Sequence, residues 1–145
     1  MAGWHLEYSI DTDVENHVVY EKIFGIWKLD IARAFVRDFE SEVAELTGES
    51  WAQLIDLTNW KAGYPEIIDI IGRHLAWCRK HKMIWSVNII RNPSTFKQLT
   101  QIISKGGVKG VSKTFRTREE GEQFLRDKGF IVRTVSGNGN IQSPF

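Results

Sequence analysis

The sequence predicts an α/β fold, a single domain with a mixed, mostly parallel sheet, an N-terminal hairpin and about four helices. Segments with the periodicity of strands alternate with segments that have the periodicity of helices. The first two strand segments are joined only by a short polar stretch, which favours a hairpin. Later strand segments are separated by helices, which favours right-handed parallel crossovers.

The N-terminal hairpin is predicted from residues 4–10 and 17–24. Apolar and polar side chains alternate along the first of these segments, which is typical of a half-buried strand. Residues 11–16 are polar enough for a turn, and the second segment is rich in β-branched and aromatic residues. Gly25 is expected to end the second strand.

In the middle of the chain, the sequence pattern predicts a helix, a strand and a second helix. The first helix covers residues 31–46, with Asp30 placed to accept hydrogen bonds from its first backbone amides. Residues 51–57 form an almost unbroken apolar run, which indicates a strand buried on both faces and followed by a loop. The second helix covers residues 65–81, because Pro65 is tolerated in a first helical turn.

The last third of the chain continues the same alternation. The predicted elements are a strand at 84–90, a helix at 95–105, an outer strand at 111–115 and a helix that ends at Gly129. Ser94 is expected to cap the first of these helices. Thr117 and Glu120 have the spacing of a capping box at the start of the second.

Length, charge and cysteine content limit the possible classes of protein. At 145 residues the chain has the size of one domain, which we expect at residues 1–132, followed by a flexible C-terminal tail at 133–145. A formal net charge of +1 gives no global field to concentrate nucleic acid. No stretch is long enough for membrane insertion and no secretory signal is evident. With a single cysteine, Cys78, these features indicate a cytoplasmic protein.

Three sequence features together resemble a known family. They are Gly25 after the second strand, Asp56-Leu57-Thr58 at the end of the third strand, and the stretch EEGEQFL in the last helix. With the order of elements, they resemble the STAS domain, the SpoIIAA-like fold of bacterial anti-sigma-factor antagonists, over residues 4–128. The resemblance implies a SpoIIAA-like fold and a regulatory role in protein binding.

The phosphorylation switch of that family does not carry over to this sequence. In the family, a serine or threonine at the start of the helix after the third strand is phosphorylated, and this controls partner binding. The corresponding stretch here, residues 61–66, reads KAGYPE and contains neither residue. Thr58 lies too early, at the end of the strand. We therefore expect an interaction module that is not controlled by phosphorylation.

An aromatic patch is predicted next to the second helix. Ile70 and Trp77 are seven residues apart and so lie above one another on its flank, where Trp60 and Tyr64 of the preceding loop can join them. Such patches are enriched where proteins associate, so a homodimer contact is the first hypothesis. The alternative is that this flank packs under a neighbouring helix. The predicted partner-binding residues are Thr58, Asn59, Trp60, Lys61, Tyr64, Ile70 and Trp77.

The sequence predicts no catalytic residue, metal site or cofactor, and hence not an enzyme. It contains no nucleophile elbow and no phosphate-binding loop. His74, Cys78 and His81 lie on one side of a helix, but a zinc site needs a fourth ligand. We expect Cys78 to be a buried small hydrophobe and both histidines to lie near the surface.

Two functions remain open from the sequence. The first is a non-catalytic regulatory module that binds a protein partner, or a second copy of itself. The alternative is a carrier for a small apolar ligand or lipid, since the chain has six tryptophans and eight phenylalanines. An enclosed apolar pocket on the order of several hundred Å³ would favour the carrier.

Overall fold

The computed structural model describes residues 7–134 of the 145-residue chain. It contains five strands and four α-helices, with one short 3₁₀ helix before the last strand. In chain order the elements are β1 (Tyr8–Asp13), β2 (Val18–Trp27), α1 (Leu29–Glu42), β3 (Trp51–Gly63), α2 (Ile67–Lys80), β4 (Met83–Ile89), α3 (Pro93–Gly106), the 3₁₀ helix (Lys109–Val111), β5 (Ser112–Phe115) and α4 (Arg118–Asp127).

The five strands form one sheet in the order β1-β2-β3-β4-β5. Strand β1 pairs with β2 in an antiparallel hairpin, and the other three pairings are parallel. The predicted fold class, a mostly parallel sheet with an N-terminal hairpin and four helices, is confirmed. Within residues 7–134, every helix is too short or too polar to cross a bilayer.

Two hydrophobic cores lie on the two faces of the sheet. On one face, called here the α1–α3 face, Phe39 of α1 and Leu75 of α2 pack with Ile102 of α3. On the other, the α4 face, Leu125 of α4 packs against strand residues such as Ile89. Successive strand residues point to opposite faces, so the three central strands β2, β3 and β4 contribute to both cores.

The ends of β2 and β3 differ from the prediction. Strand β2 does not stop at Gly25 but continues to Trp27, and β3 continues to Gly63, past the predicted end at residue 57. The two extensions pair with each other, with Gly25 opposite Trp60 and Trp27 opposite Gly63. Gly25 adopts a φ of 71° at an irregularity in this pairing, so it bends the strand without ending it. The predicted loop is therefore part of the sheet.

The start of α1 also differs from the prediction. The helix begins at Leu29, and Lys28 at the N-cap makes no side-chain capping bond. Asp30 lies within the first turn, where its carboxylate accepts a hydrogen bond from the amide of Ile31 at 3.0 Å. The helix ends at Glu42, four residues earlier than predicted, although the chain beyond it still contributes to the core.

The predicted N-terminal cap of α3 is wrong, whereas the predicted cap of α4 is confirmed. Asn92, not Ser94, caps α3, and its side chain accepts from the Ser94 amide at 2.9 Å. This cap lies earlier because Pro93 occupies the first helical turn. The capping box of Thr117 and Glu120 at the start of α4 is confirmed, with both reciprocal hydrogen bonds present.

Two predicted segments lie partly or wholly outside the described residues. They are residues 4–6 of the first strand and residues 135–145 of the C-terminal tail. At the end of the described chain, the amide of Arg133 donates a hydrogen bond to the Tyr20 hydroxyl at 2.8 Å. The last described residues therefore contact the α4 face of the sheet.

Candidate binding sites

The paired extensions of β2 and β3, called here the β2–β3 ribbon, comprise residues 24–27 and 59–63. Of the predicted partner-binding residues, Asn59 and Lys61 are exposed on it, Thr58 is exposed directly before it, and Tyr64, directly after it, is 48% exposed. Sequence reasoning missed Ile26, which is 60% exposed on the neighbouring strand. Gly25 is typical of a strand end, so the sequence alone does not place Ile26 on the surface of a strand.

The prediction that Trp60 forms part of an exposed aromatic patch is wrong. Its side chain is only 4% exposed and packs in the core of the α1–α3 face. The physical reason is the continuation of β3: side chains alternate along a strand, so Trp60 points inward while Asn59 and Lys61 point outward. The alternation of polar and apolar residues in this stretch was the signal that could have revealed its burial.

Ile70 and Trp77 lie on the flank of α2, where both are half-buried against the core. The Trp77 ring stacks on that of His81, with the ring centroids 4.3 Å apart. Ile70 lines a surface groove between α1 and α2 together with Val36 and Leu29. The flank therefore packs partly under a neighbouring helix, as the alternative expected, and leaves part of each side chain at the surface.

A cavity of about 60 Å³ lies inside the α1–α3 face, between the sheet and helices α2 and α3. Its walls are mostly apolar and include Trp27, Phe35 and Trp60. Every residue that lines it is buried except Ile71 of α2, which is partly exposed. The only partly exposed wall of this cavity thus lies beside α2.

Four polar residues line this apolar cavity: Glu21 of β2, Gln53 of β3, His74 of α2 and Asn88 of β4. All four are buried. Some of their polar atoms have partners, since Gln53 Nε2 donates to Ser86 Oγ at 2.9 Å and Asn88 Nδ2 donates to the Lys113 carbonyl at 3.3 Å.

Three polar atoms of this set have no hydrogen-bond partner within residues 7–134. They are Oε2 of Glu21, Oε1 of Gln53 and Nδ1 of His74. Buried polar groups are nearly always hydrogen-bonded in native proteins. Three unpartnered polar atoms thus belong to residues that line one cavity.

Burial disfavours the charged forms of the titratable groups around the cavity. Removal from water raises the pKa of Glu21 well above its usual value and lowers the pKa of His74 to about 3. It also raises the pKa of the Cys78 thiol, whose Sγ lies 3.7 Å from His74 Nε2. The cavity is thus lined by a carboxyl group whose protonated form is favoured by burial and by a neutral imidazole, and the raised pKa of Cys78 disfavours the thiolate that a nucleophile needs.

The prediction for His74, Cys78 and His81 is correct only in part. Cys78 is buried as expected, and His81 is half-exposed, with its Nδ1–H donating to the Trp77 carbonyl at 2.8 Å. His74 is instead only 3% exposed, and its ring meets that of Phe39 at a centroid distance of 4.6 Å. Within the described part of the chain, no three potential ligands are placed to share a metal ion.

A sequence signal for His74 and Glu21 did exist. His74 lies seven residues after Ile67, on the same stripe of α2 as Leu75 and Cys78. Glu21 lies between Val19 and Ile23 in the period-two pattern of β2, so its side chain points into the same core.

Solved structures show which fold this architecture represents. An uncharacterized DUF3478-family protein with a SpoIIAA-like fold from Shewanella loihica is 15% identical, with a TM-score of 0.59 over 86% of this chain and 98% of its own. An anti-sigma factor antagonist from Mycobacterium paratuberculosis is 17% identical, with a TM-score of 0.58 over 83% of this chain and 96% of its own. The anti-sigma factor antagonist SpoIIAA, in its unphosphorylated form, is 12% identical, with a TM-score of 0.57 over 87% of this chain and 99% of its own.

These similarities confirm the SpoIIAA-like fold inferred from the sequence. No family model matches the sequence, and no curated protein matches it.

Proposed function

We propose that this protein is a non-catalytic regulatory module that binds a protein partner through the β2–β3 ribbon, without a phosphorylation switch. The observation that carries the proposal is the ribbon's free edge. Strand β3 pairs with β4 only as far as Asp56, whereas it pairs with β2 as far as Gly63. In the described chain, residues 57–62 of β3 therefore have no strand on one side, and an extended peptide can add there as a further strand.

The surface around this edge supports the proposal. Exposed apolar side chains of Ile26 and Tyr64 lie beside the polar side chains of Thr58, Asn59 and Lys61. Apolar groups bordered by polar ones are typical of protein-binding surfaces.

The backbone of the ribbon adds a second line of support. Ala62 has a φ of 89°, a left-handed conformation that costs a residue other than glycine about 1–2 kcal/mol. Strain of this kind clusters at functional sites.

The fold is that of solved anti-sigma factor antagonists, which fits a regulatory role with a protein partner. The module is proposed to comprise residues 1–132, with residues 133–145 as a tail. The proposed compartment is the cytoplasm, where a single buried thiol at Cys78 stays reduced.

Affinity capture tests whether the ribbon binds a protein partner. The wild type and two variants are each used to capture proteins from an extract of the cells in which this protein naturally occurs. Ile26→Glu places a charge on the ribbon, whereas Val14→Glu places the same charge on a side chain that is 41% exposed in the β1–β2 turn. We expect one protein to bind the wild type and Val14→Glu and to be lost from Ile26→Glu. Hydrogen exchange at residues 58–62 should slow in the complex. Equal capture by all three proteins, or unchanged exchange, contradicts the proposal.

A second copy of the chain is the proposed occupant of the α2 flank. The groove beside Ile70 is lined by residues of both charges: Arg33, Arg37 and Arg73, with Glu40, Glu66 and Asp69. A surface that carries both signs can be complementary to itself across a twofold axis. The half-exposed apolar side chains of Ile70 and Trp77 would be covered in such a contact.

The homodimer is tested by measuring molecular mass in solution by light scattering. We expect a dimer for the wild type and a monomer for Trp77→Glu. Since Trp77 is half-buried and its replacement can disturb folding, Arg33→Glu at an exposed position of the groove is a second variant, with Lys109→Glu as its matched control. A wild type that is monomeric at all concentrations, or a mass insensitive to Trp77→Glu and Arg33→Glu, rules out this interface.

A further inference from the structure

We propose that the cavity inside the α1–α3 face binds one small neutral amphiphile, with a compact apolar body and a head group that both donates and accepts hydrogen bonds. This inference goes beyond the proposed protein-binding role, because it assigns a small molecule to the core, whereas the protein partner is proposed to bind the exposed edge of the ribbon. A primary amide represents the chemical class of the head group.

The volume of the cavity sets the size of the ligand. A water molecule needs about 10–15 Å³ measured in the same way, so a cavity of about 60 Å³ holds roughly four to six groups of that size. This corresponds to a molecule of about four to six non-hydrogen atoms. A long acyl chain does not fit, so the carrier hypothesis narrows from lipids to small molecules.

The walls of the cavity select an apolar body. Trp27 and Trp60 from the β2–β3 ribbon form part of the wall, and Leu99 of α3 forms another part. Cavities with apolar walls stay dry and bind apolar molecules of matching size. A cluster of waters would leave most of its own hydrogen bonds unmade against these side chains.

The polar atoms of the cavity select the head group. In its protonated form, which burial favours, the Glu21 carboxyl can donate one hydrogen bond and accept others, and Gln53 Oε1 can accept one. His74 Nδ1 donates or accepts according to its tautomer, because the ring is neutral. A primary amide has an NH₂ donor and a carbonyl acceptor and matches this set. A carboxylate has no donor and would bring an unpaired charge into the core.

Access to the cavity is possible beside α2. Ile71 is the most exposed of the lining residues, so we expect a rotamer change at Ile71 to let a small molecule enter. Side-chain rotations of this kind occur on fast timescales at partly exposed positions.

The test uses two probes of the same shape: isobutyramide, which is neutral, and isobutyrate, which is charged at pH 7. Each is titrated into the wild type, while NMR follows the indole N–H signals of Trp27 and Trp60 and the ring signals of His74. We expect isobutyramide to bind one molecule per chain and to shift all three sets of signals. Isobutyrate should bind at least tenfold more weakly.

Two variants separate a ligand site from a structural cluster of waters. Glu21→Leu should raise the melting temperature of the free protein and weaken isobutyramide binding at least tenfold, because it removes both an unpartnered polar group and a partner of the head group. Glu49→Leu, at an exposed carboxylate, should leave isobutyramide binding unchanged.

Three results would overturn the inference. The first is the absence of shifts at Trp27, Trp60 and His74 at high millimolar isobutyramide. The second is equal binding of the two probes. The third is a lower melting temperature for Glu21→Leu together with ordered waters that isobutyramide does not displace, which would make the cluster structural.

Discussion

Each face of the sheet carries a buried glutamate, and the two glutamates differ in their partners. On the α4 face, Glu122 accepts a hydrogen bond from Arg118 Nε at 2.9 Å and lies 3.7 Å from Arg126. On the α1–α3 face, Glu21 is equally buried but has no ion pair within the described residues. A paired buried charge is compatible with a structural role, whereas an unpaired polar group lowers stability and therefore points to function.

The two faces also differ in the space between the helices and the sheet. On the α4 face, Gly121 brings α4 so close to the sheet that an added Cβ atom would lie 2.5 Å from Ile89 Cδ1. On the α1–α3 face, the helices leave a cavity of about 60 Å³ above the polar residues of the strands. Helix α4 thus lies close to the sheet at Gly121, whereas the α1–α3 face contains an internal space.

The largest predicted effect is on the α4 face. Glu122→Ala should lower the free energy of unfolding by about 3–5 kcal/mol, because it removes the buried carboxylate that pairs with the largely buried guanidinium of Arg118. Urea unfolding measures this loss. Glu119→Ala, at an exposed position of the same helix, should change the stability by less than about 0.5 kcal/mol.

If Glu122→Ala lowers the free energy of unfolding no more than Glu119→Ala does, the buried ion pair contributes nothing to stability. The contrast between Glu122 and Glu21 would then be wrong. If Glu122→Ala does prove costly, the contrast with the unpaired Glu21 is sharpened.

The next effect is on the α1–α3 face and depends on pH. The folded protein raises the pKa of Glu21 above its usual value of about 4.5, so the folded state holds this proton more tightly than the unfolded state. The associated stability is full below pH 4.5 and declines as pH rises towards the folded pKa. Glu21→Gln stays neutral and lacks this decline.

The stability of Glu21→Gln relative to the wild type should therefore increase as pH rises above 4.5, by at most about 1.4 kcal/mol per pH unit. Urea unfolding across pH measures this difference. The pKa of His74 is lowered, so its contribution is lost as pH falls from 6.5 towards about 3, but it is present in both proteins and largely cancels. A pH-independent difference would show that Glu21 is solvated or paired.

The sequence predicted the order of elements and the hairpin because both depend on local patterns. Periodicity and turn residues are written in short stretches, and the Thr117–Glu120 capping box is a local signature that the structure reproduces. The end of β3 was missed because its last residues are held by pairing with β2, about 35 positions earlier in the chain. Such long-range pairing overrides the local preference of residues 58–63 for a loop.

The candidate sites were predictable to a smaller extent. The exposed positions of Thr58, Asn59, Lys61 and Tyr64 follow from the polar character of that stretch. The cavity was not predictable, because it depends on how α2 covers the sheet. A glutamate in a strand is usually exposed, so the period-two pattern that places Glu21 between Val19 and Ile23 gives its face but not the cavity beside it.

The smallest predicted effects compare the first turns of α1 and α4, one helix from each face. Thr117→Ala should lower the free energy of unfolding by about 1 kcal/mol, because it removes the side-chain oxygen that accepts from the Glu120 amide. Lys28→Ser should raise it by about 0.5–1 kcal/mol, because Lys28 occupies the N-cap of α1 in an extended conformation and makes no capping bond.

Urea unfolding of both variants measures these changes. Lys28→Ala is the matched control, since it removes the same cation without adding a hydroxyl group. If Lys28→Ser and Lys28→Ala are equally stable, the gain comes from removing a positive charge at the helix start, where the dipole disfavours it, and not from the cap. If only Lys28→Ser raises the free energy of unfolding, the backbone at this N-cap can accept a capping side chain that the natural sequence does not provide. The α1–α3 face would then be the less optimised of the two at its helix ends as well as in its core, as expected if selection acts there on binding more than on stability.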